Sequence, residues 1–189
     1  MKKKLKITYN APVMLTFVLI CFVATILGLF TNQRSTWVLF SVFRGSPTSP
    51  MTYIRMLTHA AGHVNWEHFI GNAMYLLLVG PMLEEKYGSK AMLKVILATA
   101  LITGIIHCVL FETSFLCGAS GIVFACIVLA SFAPFREGEL PLSFVAVSVL
   151  FIGKEFYSAV AIADNISNLT HIVGGMIGGI LGYSLNKQF

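Results

Sequence analysis

Charge is the scarcest commodity in this chain. Of its 189 residues, 11% are Asp, Glu, Lys or Arg and 57% are hydrophobic, whereas a soluble domain carries about 25% charged residues. That shortage excludes a soluble globular domain, a disordered tail and a collagen-like repeat. Cysteine is sparse too. Cys21, Cys108, Cys117 and Cys126 lie in or beside apolar stretches at no metal-ligand spacing, so they read as small core residues and imply no disulfide framework. Internal repeats, low-complexity segments and a separate soluble domain are missing as well. The formal net charge of +5 would suggest nucleic acid in a soluble protein. Here the basic residues stand at the edges of apolar runs, which is the positive-inside pattern of a membrane protein. Nucleic acid is therefore not an expected partner, and the lipid bilayer is.

The long apolar runs set the layout, since one span needs about 20 residues. The sequence predicts an all-α integral membrane protein of six transmembrane helices, at about 11–30, 66–83, 91–111, 120–134, 140–157 and 170–185, forming a single domain over residues 1–189. A basic N-terminus (1–10) with Lys2, Lys3, Lys4 and Lys6 precedes the first run. A signal peptide would also pair a basic start with an apolar core. This run is too long for that and lacks a small-x-small cleavage site before Asn32, so it reads as an uncleaved first span. A long first outer loop, Thr31 to Asn65, mixes Ser46-Pro47-Thr48-Ser49-Pro50 with Trp37, Phe40 and Phe43 and is expected to lie partly in the membrane interface. Nine of the thirteen Lys and Arg residues then fall on the inner side, with both termini cytoplasmic and Lys154 fitting poorly.

Polar side chains inside spans are costly and mark function. His68 and Asn72 lie in the second span, Ser120 heads the fourth, and His171 heads the sixth. His68, Ser120 and His171 each precede a charged residue at the inner end (Glu84, Arg136, Lys187) by 16 positions. At 1.5 Å rise per residue each would sit roughly 24 Å above its anchor, about 6 Å below the outer edge of a core about 30 Å thick. Asn72 follows one turn deeper on the face of His68. The glycines offer a way to close this layer. Gly174, Gly175, Gly178 and Gly179 form two overlapping GxxxG registers, and Gly121 with Ala125 forms a matching small-residue pair. Packing the fourth span on the sixth would bring Ser120 within reach of His171. Serine needs a base to become a nucleophile, and the resulting oxyanion needs hydrogen-bond donors. Gly118-Ala119-Ser120-Gly121 can present the hydroxyl in a tight loop, although Ile122 breaks the Gly-x-Ser-x-Gly elbow of soluble hydrolases. Asp164 is the nearest carboxylate by sequence to His171 and sits in an outer loop, so a Ser–His dyad is the economical reading.

His59-x3-His63-x4-His68-x3-Asn72, then Gly118-Ala119-Ser120-Gly121, then His171-x2-Gly174-x3-Gly178 occur in that order. The combination resembles the rhomboid intramembrane serine proteases from Arg55 to Gly182. The resemblance implies a six-helix bundle with a short fourth helix and an outward-facing water cavity at the serine. It makes Ser120 the nucleophile and His171 the general base, with His68, Asn72 and the Ser120 N–H as oxyanion hole. It matches Glu84 to a buried glutamate, and His63 and Arg55 to residues that brace the first loop. It also implies transmembrane proteins as substrates and no cofactor. The chain departs from the family where Ile54-Arg55 replaces Trp-Arg, Thr170-His171 replaces Ala-His, and Phe124 stands where a tyrosine commonly stacks under the histidine.

Other readings compete. His59, His63 and His68 could ligate a metal, but the His-Glu-x-x-His of a metalloprotease is absent, so no metal is expected. His59 and His107 are expected to make hydrogen bonds at the membrane interface. The sequons Asn165-Ile166-Ser167 and Asn168-Leu169-Thr170 would carry no weight if the chain is bacterial, as its compactness suggests. A transporter would need polar groups in the inner halves of spans four and six, which are apolar. The principal alternative is a catalytically inactive relative that binds membrane proteins or directs their quality control. Such relatives lack the serine or the histidine.

Overall fold

A computed structural model describes residues 7–133, 139, 141–161 and 165–186. The chain order is α1 (Pro12–Phe30), α2 (Arg34–Leu39), α3 (Pro50–Thr58), a 3₁₀ turn (His59–Ala61), α4 (Trp66–Tyr87), α5 (Ser89–Leu110), α6 (Ser120–Ser131), α7 (Leu142–Ala161) and α8 (Asn165–Asn186). Among the described residues every regular element is helical, and the only sheet-like pairing is one isolated bridge.

Among the described residues two helices, α1 and α5, are long and apolar enough to cross a membrane by length and composition. α6 is apolar but only 12 residues long. The outer surface of the bundle is apolar well beyond α1 and α5. On α4, Met74, Leu78 and Met82 recur at helical spacing and are each more than 60% exposed. Polar groups such as Thr25, Thr99, Thr103, His59 and His63 are buried alongside the apolar core. An apolar exterior of this kind suits a hydrocarbon surround.

Boundaries differ from expectation in several places, and α4 runs to Tyr87, four residues past Leu83. α6 stops at Ser131, short of the expected Pro134, which lies outside the described residues. α7 begins at Leu142 and runs to Ala161, four residues past Tyr157. α8 is already helical at Asn165, so His171 lies almost two turns inside it and not at its head. Asn165-Ile166-Ser167 reads as loop by its polarity, yet it continues the helical path of the glycine stripe. Arg136, Lys187 and Asp164 also lie outside the described residues, leaving Glu84 as the depth marker on a continuous helix with His68.

The long first loop folds locally, as its apolar residues suggest. Pro50 starts α3, Asn65 accepts a bond from the His68 N–H at 2.7 Å to cap α4, and Arg55 ties α3 back by donating from Nε to the Val38 carbonyl at 2.8 Å. The Arg55 guanidinium also sits 4.3 Å from the Phe43 ring centroid. At the opposite end Glu84 is 4% exposed, and its carboxylate accepts from the Val13 and Met14 N–H groups at 2.9 Å and from the Ser89 hydroxyl at 2.6 Å. A carboxylate from α4 thus satisfies the N-terminal donors of α1, whose own cap residue, Ala11, offers no side-chain acceptor.

Candidate active site

Ser120 is the first residue of α6, so the preceding segment decides where its hydroxyl points. That segment is held along its length. The Leu116 N–H and carbonyl pair with Val42 at 3.0 and 2.9 Å, and the Gly118 N–H donates to the His59 carbonyl at 2.9 Å. Ser114 offers its carbonyl to His107 Nε2 at 3.0 Å. Gly118 has φ +131°, a left-handed conformation that side chains rarely adopt. A Cβ there would also fall 2.7 Å from His68 Cε1, so the glycine lets the imidazole lie directly against the loop.

Behind the loop, His63 is fully buried and its tautomer is fixed by its partners. Nδ1 lies 3.2 Å from the Ala61 carbonyl, which can only accept, so Nδ1 carries the proton. Nε2 is then an acceptor. It takes a bond from Asn72 Nδ2 at 3.1 Å and faces the Ala119 N–H at 3.5 Å. Burial pushes the His63 pKa down to about 4, which keeps the ring neutral for both roles. Asn72 is 8% exposed, and its amide has a second N–H beyond the one given to His63. The His63 and His68 rings meet edge to face with centroids 5.0 Å apart.

The other half of the site comes from α6 against α8. A Cβ on Gly174 would run into the Gly121 carbonyl, and one on Gly178 into the Ala125 carbonyl. The two glycine-bearing faces therefore meet backbone to backbone at two successive turns. Thr170 Cγ2 lies 3.2 Å from the position of a Cβ on Gly121. One turn into α6 from Ser120, the Phe124 ring lies 4.3 Å from the His171 ring, tilted by 40°. Residues four apart share a helix face, so the His171 imidazole occupies the face that also carries Ser120. Both residues are half-buried.

The structure thus gathers His63, His68, Asn72, Gly118, Gly121, Phe124, Gly174 and His171 around the start of α6. Glu84 and Arg55 lie elsewhere, one capping α1 and the other bracing the first loop. His59 and His107 make hydrogen bonds, as expected, and do so from inside the bundle. They are 1% and 2% exposed inside the bundle and donate to the Ala100 and Ser114 carbonyls. Sequence reading missed His59 as a brace of the serine loop because the contact runs through its backbone carbonyl. Among the described residues no three His, Cys, Asp or Glu side chains are grouped to hold a metal.

Comparison with known families places the chain. The Rhomboid domain family matches residues 50–188. The chain belongs to the rhomboid family. Relatives include the rhomboid protease GluP of Bacillus subtilis (strain 168), 32% identical over 165 residues. They also include the rhomboid protease GlpG of Yersinia pestis (strain Pestoides F), 25% identical over 181 residues. Those alignments take in 86% and 91% of this chain, but only 31% of the GluP relative and 62% of the GlpG relative. This rhomboid therefore spans less than two thirds of either relative's length. The family is embedded in membranes, in keeping with the apolar exterior of α1, α4 and α5.

Proposed function

We propose that this chain is an intramembrane serine endopeptidase that cleaves transmembrane segments of other membrane proteins through a Ser120–His171 dyad. The observation that carries the reading is the backbone contact of α6 with α8, which sets His171 against Phe124 on the face of Ser120. His171 takes the Ser120 proton as Oγ attacks the substrate carbonyl carbon, forming a tetrahedral oxyanion. His68, the second N–H of Asn72 and the Ser120 N–H stabilise that oxyanion. Collapse breaks the C–N bond, with the proton passing from His171 to the leaving amine. Water, deprotonated by the same histidine, then hydrolyses the acyl-enzyme.

The accompanying topology is six spans, α1, α4, α5, α6, α7 and α8, in one domain over residues 1–189. Both termini are cytoplasmic in the cell membrane, and the site opens to the outer side. α6 is short enough that its N-terminal serine begins within the bilayer, where water must be admitted from one side.

A serine-reactive fluorophosphonate tests the proposal on the reconstituted chain. Wild type should label, while Ser120→Ala should not label and should cleave no model transmembrane substrate at unchanged thermal stability. His171→Ala should slow labelling by about 10²-fold or more, the typical worth of a general base. Equal labelling of wild type and Ser120→Ala would overturn the nucleophile, and a folded wild type that neither labels nor cleaves would leave an inactive binding relative.

A further inference from the structure

On the side of the bundle away from Ser120, α1 and α5 part to leave a groove of about 500 Å3, closed above by Leu57, Thr58, Ala60 and Ala61. Val13, Phe17 and Ile20 form one wall, and Leu93, Ile96 and Ala100 form the other. Almost every lining atom is apolar and the groove opens to the exterior. In hydrocarbon such a groove is filled by whatever the bilayer supplies. A group the size of a water takes about 30 Å3, so the space accommodates roughly fifteen methylene-sized groups, one acyl chain.

The ends of the groove say which chain. Its lining runs from Leu93 to Ala100 on α5 and from Pro12 to Ile20 on α1, about 10–12 Å along the helices, and it stops under the first loop. Lys90 lies about one turn beyond the lining, so groove and lysine together span about 15 Å, half the thickness of the hydrocarbon core. At its open end Lys90 lies three residues before Leu93 and seven before Leu97, on the stripe of α5 that lines the groove, and it is exposed, as is Lys94. Tyr9 is 62% exposed there and its hydroxyl lies 2.7 Å from that of Thr16, another lining residue, as suits a headgroup layer. Glu84, the carboxylate in contact with α1, is turned inward onto the Val13 and Met14 N–H groups and the Ser89 hydroxyl. This end therefore offers positive charge beside an acyl-sized slot.

We propose that the groove holds one acyl chain of an anionic glycerophospholipid, with its phosphate beside Lys90. This site is independent of the proposed chemistry and needs only that the chain sits in a bilayer.

The test uses the full chain in phosphatidylcholine vesicles doped with phosphatidylglycerol bearing a photoactivatable diazirine near the end of one acyl chain, with a parallel sample carrying the same diazirine on phosphatidylcholine. Cross-links mapped by mass spectrometry should concentrate in residues 12–20 and 93–100, several-fold above the outward face of α4 and several-fold above the phosphatidylcholine probe. Leu97→Trp and Thr16→Trp, both on exposed rims, should each reduce groove labelling. Lys90→Gln, a surface change that leaves the core intact, should lower the phosphatidylglycerol signal to the phosphatidylcholine level. Even labelling of α4 and the groove, equal labelling by the two headgroups, or cross-links joining two copies through the groove would each overturn the proposal.

Discussion

At the scale of single residues, the site depends on histidines that must stay uncharged. His59 donates from Nε2 to Ala100, and His63 must accept at Nε2 from Asn72 and face Ala119. Burial lowers the pKa of each to about 4 from an ordinary 6.5. Between those values the unfolded chain binds more protons than the folded one, so stability is full above about pH 6.5 and declines as pH falls toward 4. The loss should be on the order of 3 kcal/mol per histidine at most. Thermal melts of the detergent-solubilised chain from pH 7 to pH 4.5 should show it, and His63→Gln, which keeps an acceptor but does not titrate, should flatten part of the slope. A flat profile in wild type would show these rings to be solvated. His63 is also instructive about sequence. Its spacing from His68 and Asn72 was plain, but its task of orienting Asn72 and the serine loop depends on a tautomer that only the Ala61 carbonyl fixes.

At the scale of elements, the glycine registers of α8 were legible and their meaning held, since Gly174 and Gly178 meet the backbone of α6. Even a methyl at Gly178 would strike the Ala125 carbonyl. Gly178→Ala should therefore cost about 1–3 kcal/mol, the usual range for overpacking, and should lower fluorophosphonate labelling by tilting α8 away from Ser120. Gly71, with open space around its Cβ position, is the control, and Gly71→Ala should change neither property. A stable, fully reactive Gly178→Ala would show that the helices close without that contact. The ends of elements were less legible. α8 begins before Thr170 because polar Asn165 and Asn168 sit on a helix whose apolar pattern starts only later; Asn168 is buried at 5% exposure, which polarity alone argues against.

For the whole molecule, the shortage of charge pointed to a membrane, and the exterior of the described bundle agrees. Of the six expected spans, only α1 and α5 among the described residues are marked by length and apolar composition. The residues that dilute the hydropathy of α4 are Glu67, His68 and Asn72, and those that dilute α8 are His171 and its glycines. His68, Asn72 and the glycines that let α8 approach α6 are thus among the residues that lower the hydropathy of these two helices. Exposure separates the two cases. Leu78 is 69% exposed on the outward face of α4, so Leu78→Lys should cost about 2.5–3.5 kcal/mol of membrane insertion if that face meets lipid near mid-depth. A glycosylation-mapping insertion assay measures this, and an unchanged insertion efficiency would place α4 outside the hydrocarbon.

The bridge between Val42 and Leu116, with the Gly118 bond to His59, also bears on how the protein is made. Both docking partners of the serine loop lie before it in the chain, more than fifty residues upstream. During synthesis the first loop is delivered before the segment that leans on it, so Ser120 emerges onto a template already in place. Ser120 inherits its position from an earlier part of the chain.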